Sequence, residues 1–145
     1  MKEIFLVGAG GMIGSISRMI ILKLNIYNIS LPLNTFLVNI IGCFIVGILI
    51  KYSAGVSKEI AEYLNYFLII GFCGGFTTFS AYSVDSLNLL NEDKIIMFLI
   101  YSVLSSVIGI LFCYLGMNIV KSVSYTHLRA HETSLHLVCR LLLEK

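Results

Sequence analysis

The 145-residue chain has no tryptophan, a single proline, Pro32, and little charge: 10 Lys+Arg and 8 Asp+Glu, 12% of its residues. An ordinary soluble domain carries about 25% charged residues, so the scarcity of charge excludes that class. It excludes intrinsic disorder too, because disordered chains are charged and poor in large apolar groups. None of the four cysteines belongs to a C-x-x-C pair and no disulfide framework is legible, so Cys43, Cys73 and Cys113 read as small apolar fillers. No nucleotide loop of the GxxxxGK type occurs. With a net charge of only +2, nucleic acid is not an expected partner.

What is present is apolar: 58% hydrophobic residues and a mean hydropathy of +0.94. Long charge-free stretches cover residues 4–17, 24–50, 63–84 and 95–120. The last three exceed the ~20 residues needed to cross a bilayer; the first does so only if it continues through Arg18 to about Leu22. Four transmembrane helices are expected, at about 4–22, 33–50, 64–84 and 95–120, in an all-α membrane domain of residues 1–121. The first stretch lacks the leucine-rich core and small-residue cleavage site of a signal peptide. Lys2, Lys51, Lys58 and Lys121 fall on one side, and Arg18, Lys23 and Lys94 on the other. Four against three is hardly a bias, so the chain is expected to insert either way up and to pair as an antiparallel homodimer in the bilayer. Residues 122–145, with His127, His131 and His136, break the pattern and are expected to lie outside the native fold.

Within the spans, Gly8, Gly10, Gly11, Gly14 and Ser15 form a small-residue seam for close helix packing. Arg18 either snorkels to the interface or attracts anions at a pore mouth. Thr35 and Asn39 stand four apart on one helix face; the Asn39 amide must find partners where there is no water, as interhelical glue or as the lining of an ion path. In GFCGGFTTFSAYS, Gly74 and Gly75 precede Thr77 and Thr78, a combination costly to a helix. The segment is either a continuous helix packed through its glycines or a helix broken at mid-membrane, with carbonyls free for a cation and amides for an anion. Phe79 and Tyr82 lie roughly on one side of it, able to offer ring edges to an anion, with Ser80 and Ser83 beside them. Tyr101, Ser105 and Gly109 make a narrow stripe on the fourth span. Apart from Arg18 near an edge, no span holds a charged residue or a histidine, so a proton-coupling carboxylate and a catalytic base for a serine are absent and an enzyme is not expected.

Together, GGMIGSISR, LNTFLVNIIGCFIVG and GFCGGFTTFSAYS resemble the CrcB family, also called Fluc, of small fluoride channels, over residues 1 to about 120. The resemblance implies an antiparallel homodimer of four-helix subunits in the cell membrane, with two pores that let cytoplasmic fluoride leak out and a structural sodium ion at the centre. Carried over by motif position, the sodium would be held by the carbonyls of Gly74 and Thr77. Asn39, Phe79, Ser80 and Ser83 would line the fluoride path, Arg18 and Thr35 its mouth and central region, and Tyr101 and Ser105 are looser matches. The second ring position, usually phenylalanine, is Tyr82 here. The alternatives are a small dual-topology multidrug or guanidinium exporter, which needs a membrane-embedded acid, and a non-transporting scaffold. Replacing Asn39 with valine is expected to abolish flux while leaving the dimer assembled; wild-type flux in that variant would remove Asn39 from the path.

Overall fold

The structure is a computed structural model that describes residues 1–23 and 32–120; the tail and its histidines lie outside the described residues. All regular structure among these residues is helical: α1 (Lys2–Lys23), α2 (Leu33–Ser53), α3 (Lys58–Tyr63), a π-helical segment (Leu64–Cys73), α4 (Gly74–Phe76), α5 (Phe79–Asn91) and α6 (Ile95–Ile119). From α3 to α5 the chain makes one interrupted rod, Lys58–Asn91, so there are four helices long and apolar enough to span a membrane. The chain is a multi-pass membrane protein.

Pro32 caps α2, a place where its missing N–H costs nothing, and its carbonyl accepts the first helical bond from Phe36 N at 3.2 Å. The third rod is longer than the charge pattern suggests, starting six residues before 64 and ending seven after 84. Asp85, which reads in the sequence as the boundary of that span, therefore lies inside α5. Helix α5 stops where Asp93 takes a left-handed conformation, φ 58°, which aspartate tolerates better than most residues. Lys94 N then reaches back to the Leu89 carbonyl at 2.9 Å, so α6 starts at once on the return path.

The helices meet through glycine. A Cβ on Gly10 would overlap the Phe67 carbonyl oxygen, and one on Gly14 the Phe72 carbonyl oxygen, which seats α1 directly on the π-helical backbone. Gly47 touches the Cys113 backbone and Gly116 the Phe44 backbone in the same way, joining α2 to α6. At the end of α1, the Lys2 ammonium sits 4.3 Å from the centre of the Tyr63 ring. Large apolar side chains point outward: Phe5 is 78% exposed and Ile110 73%. That is the arrangement expected of a bundle whose solvent is lipid, where apolar burial between helices gains little and close van der Waals approach holds the bundle together.

Gly8 and Gly10 make the contrast testable. A Cβ at Gly8 meets nothing within 4 Å, so Gly8→Ala should leave the unfolding midpoint in detergent unchanged or slightly raised, as alanine favours the helix. Gly10→Ala should cost about 1–3 kcal/mol through overpacking, read as an earlier loss of the monodisperse peak on heating.

Candidate functional site

The third rod does break, and it breaks on the threonines. Gly74 and Gly75 are still helical in α4; Thr77 (φ −74°, ψ 157°) and Thr78 (φ −149°, ψ 113°) are extended. Both threonines are β-branched and lose little in that conformation, while Gly75 is needed for a different reason, since its Cβ would overlap the backbone of Gly11 on α1. Thr78 also starts the next helix: its hydroxyl accepts from Ala81 N at 3.2 Å and meets the Ser80 hydroxyl at 3.1 Å, the behaviour of an N-cap.

A two-residue break strands backbone groups at mid-membrane, where each unsatisfied one is costly. The Asn39 side chain takes both groups of Thr78: the Thr78 N–H donates to Asn39 Oδ1 at 2.8 Å, and Asn39 Nδ2 donates to the Thr78 carbonyl at 3.1 Å. One Asn39 N–H is left over, since the amide has two. The Thr77 carbonyl accepts from Arg18 Nη1 at 3.1 Å, and the Gly75 carbonyl from Ser15 Oγ at 3.4 Å. Thr77 closes its own turn on Cys73, through its N–H at 2.9 Å and its hydroxyl at 2.8 Å. Arg18 thus reaches the break itself, and its guanidinium is engaged by a carbonyl rather than extended toward the interface.

Beside the break lies a cavity of about 440 Å³ lined by Asn39, Thr77, Thr78, Phe79, Tyr82 and Ser105, with Cys43, Val46, Ser106 and Cys113. Five of the candidate site residues, Asn39, Thr77, Phe79, Tyr82 and Ser105, come together here from the second, third and fourth spans. Behind Tyr82 an aromatic file continues, with ring centres 5.6 Å apart from Phe79 to Tyr82 and 5.2 Å from Tyr82 to Tyr101. Phe79 itself is 79% exposed on the subunit surface. The remaining candidates stand outside the cavity. Thr35 is buried one turn before Asn39, Ser83 spends its hydroxyl on the Phe79 carbonyl at 2.9 Å, Ser80 is tied to the cap, and Gly74 lies exposed on the face of α4.

Around Tyr101 the polar groups are incompletely satisfied. The Tyr101, Ser102 and Ser105 hydroxyls on α6 and the Ser86 hydroxyl and Asp85 Oδ2 on α5 are buried without a hydrogen-bond partner among the described residues. Other span hydroxyls show the ordinary alternative: Ser106 donates to the Ser102 carbonyl at 3.0 Å and Ser17 to the Ile13 carbonyl at 2.8 Å. Sequence reasoning missed Asp85 because a charge reads as the end of a span, and missed the capping role of Thr78 because nothing local says where a broken helix restarts.

The Asn39 pairing changes the expectation for Asn39→Val. Two backbone groups of Thr78 would lose their partners, each at about 1–3 kcal/mol, so this variant should unfold at a clearly lower temperature in detergent as well as lose flux. An unchanged unfolding midpoint would show that the Thr78 groups find other partners.

The description "CrcB-like protein, Camphor Resistance (CrcB)" belongs to the family whose model matches residues 5–117. A fluoride-specific ion channel FluC of Flavobacterium psychrophilum is 37% identical over 83% of this chain and 98% of its own length. That of Chlorobium phaeobacteroides is 39% identical over 81% of this chain and 92% of its own, and that of Aquifex aeolicus 37% identical over 80% and 94%. With four membrane-spanning helices and likeness along nearly the whole length of each relative, this chain belongs to the CrcB family.

Proposed function

We propose that the chain is a fluoride-selective channel that passively exports cytoplasmic fluoride across the cell membrane. The observation that carries this reading is the Ser105 hydroxyl, buried without a hydrogen-bond partner among the described residues, on the wall of the cavity that Asn39, Phe79 and Tyr82 also line. A hydroxyl without a partner on a cavity wall can give its proton in a hydrogen bond to an anion, and fluoride is the smallest and most basic of the halides. A path for so strongly hydrated an ion must replace its water with donors while offering no fixed cation that would trap it. Arg18, the cation at the break, gives a hydrogen bond to the Thr77 carbonyl and is not among the residues lining the cavity. Asn39, with an N–H to spare, and Phe79 and Tyr82, whose ring edges are able to meet an anion, line the same cavity. As a channel, the chain would carry out no covalent chemistry.

The single subunit leaves features that a second copy would complete. Gly74 costs the helix about 1 kcal/mol relative to alanine, yet a Cβ there would meet nothing within 4 Å, so nothing inside the subunit demands glycine. Phe79, just across the break, is largely exposed. An antiparallel homodimer, with the partner passing over Gly74 and Phe79, accounts for both. The donor chemistry there fits a structural sodium ion. The amide that would close the next turn on the Gly74 carbonyl, that of Thr78, goes to Asn39 instead. The Gly74 oxygen thus stands free at the negative end of a helix, and the Thr77 carbonyl keeps a second lone pair beside its bond to Arg18. Gly74 and Thr77 would hold the ion through these oxygens, and it would supply a fixed, non-titrating positive charge between the copies.

The exporter alternative gains one observation, Asp85, an acid within α5 with one buried oxygen. Fluoride efflux from liposomes decides between them. Rapid efflux of fluoride over chloride, independent of a proton gradient and lost without sodium, is expected; proton-driven uptake of organic cations without fluoride efflux would establish the exporter. Ser105→Ala should slow fluoride efflux about tenfold, the effect of about 1.4 kcal/mol on a barrier. It should not lower the unfolding midpoint, because an unpartnered buried hydroxyl stabilises nothing.

A further inference from the structure

Two of the chain's cysteines line the cavity. Cys43 on α2 and Cys113 on α6 both line it, alongside Asn39 and Ser105, and both are free. The two helices run in the same direction, since Cys43 meets Gly109, Gly47 meets Cys113 and Ile48 meets Gly116. A Cβ on Gly109 would lie 3.6 Å from Cys43 Sγ, which places that sulfur against α6 at the level of Gly109. Cys113 follows four residues later on the same face, about 6 Å along the axis. A helical side chain leans toward the N-terminus of its helix, and this lean carries the Cys113 thiol back toward Gly109 and Cys43. Cys73, by contrast, is 2% exposed and stands off the cavity.

Two thiols within a helical turn on one wall suit an ion of low coordination number. Among the described residues no third His, Cys, Asp or Glu joins them to make a cluster of the kind that zinc requires. Soft cations with a filled d shell take two thiolates in a line, and two bonds of about 2.3 Å, the zinc–thiolate length, span about 4.6 Å. One turn of rise less the side-chain lean supplies that span. Thiolates suit Cu(I), zinc and iron–sulfur clusters, and a site of only two ligands leaves Cu(I) among these.

We propose that Cys43 and Cys113 form a two-thiolate site for a soft cation of the Cu(I), Ag(I) and Hg(II) class, and that its occupation blocks the cavity to anions. Binding breaks two S–H bonds, forms two metal–sulfur bonds and releases two protons to water, with no change of oxidation state. A monovalent cation so bound leaves one net negative charge on the wall, which opposes a passing anion; Hg(II) gives a neutral complex that acts by filling the space. The block rests on the channel function proposed above, whereas the binding does not.

Hg²⁺ is the probe, titrated in chloride-free buffer into the full-length chain carrying Cys139→Ser, because Cys139 lies outside the described residues. Mercury–thiolate ultraviolet absorbance reads binding and fluoride efflux from liposomes reads the block. With Cys73→Ser added, the two remaining thiols should take one Hg²⁺ per chain, and efflux should stop until dithiothreitol restores it. A further Cys43→Ser or Cys113→Ser should weaken binding about a hundredfold, the loss expected when one of two linked ligands is removed, and abolish the block; Cys113→Ala serves if the serine variant does not elute as a folded species. Two Hg²⁺ per chain in the two-thiol variant, or tight binding that survives loss of Cys43, overturns the site. Stoichiometric binding with undiminished efflux overturns the block. One Hg²⁺ per chain in a protein that shows no fluoride efflux even before mercury upholds the site and instead removes the channel reading.

Discussion

Everything distinctive in this fold depends on one pairing, the side-chain amide of Asn39 against the backbone of Thr78. A membrane helix cannot be interrupted unless the groups freed by the interruption are met from elsewhere. Asn39 meets two of them at once, Arg18 and Ser15 answer neighbouring carbonyls from α1, and the Thr78 hydroxyl restarts the helix on the far side. The break in turn exposes a helix end of each sign, frees the Gly74 carbonyl and swings Phe79 and Tyr82 to the cavity. Without the amide on α2, the least costly solution for residues 77 and 78 would be an unbroken helix and no site.

The second constraint is closeness. Helix α1 presents glycine where the backbone of α4 touches, and on α2 a Cβ at Gly42 would overlap the Thr77 methyl, so the break is clamped between α1 and α2 with little room to heal. The π-helical run ahead of it belongs to the same economy. Its wide turns seat Phe67, Gly71 and Phe72 against Gly10 and Gly14, and wide-turn helix of this kind is rare and concentrates near functional sites.

Much of this was legible in the chain. Four spans followed from charge-free length, and the break from two glycines and two threonines close together, though its position did not: Gly75 serves backbone contact with α1 and the extended residues are Thr77 and Thr78. Asn39 declared itself because an amide in lipid must be answered, but its partner stands 39 residues away and only the fold joins them. Arg18 offered two readings and took neither fully, because the carbonyl at Thr77 became available only once the helix broke. Asp85 was hidden by the rule that a charge ends a span, which fails where a carboxylate can turn inward among hydroxyls. The wide-turn segment had no signature at all, since its composition is that of any apolar helix.

The Asn39 contact is made wholly to main-chain atoms on the Thr78 side. Every residue but proline would present the same N–H and the same carbonyl there, so position 78 is free to drift, within the needs of its capping hydroxyl, without any compensating change at 39. The most consequential long-range contact in the fold therefore leaves no covariation between the two positions. In lineages diverging from this sequence it would surface only as an asparagine that does not change, facing a partner whose identity carries no information about it.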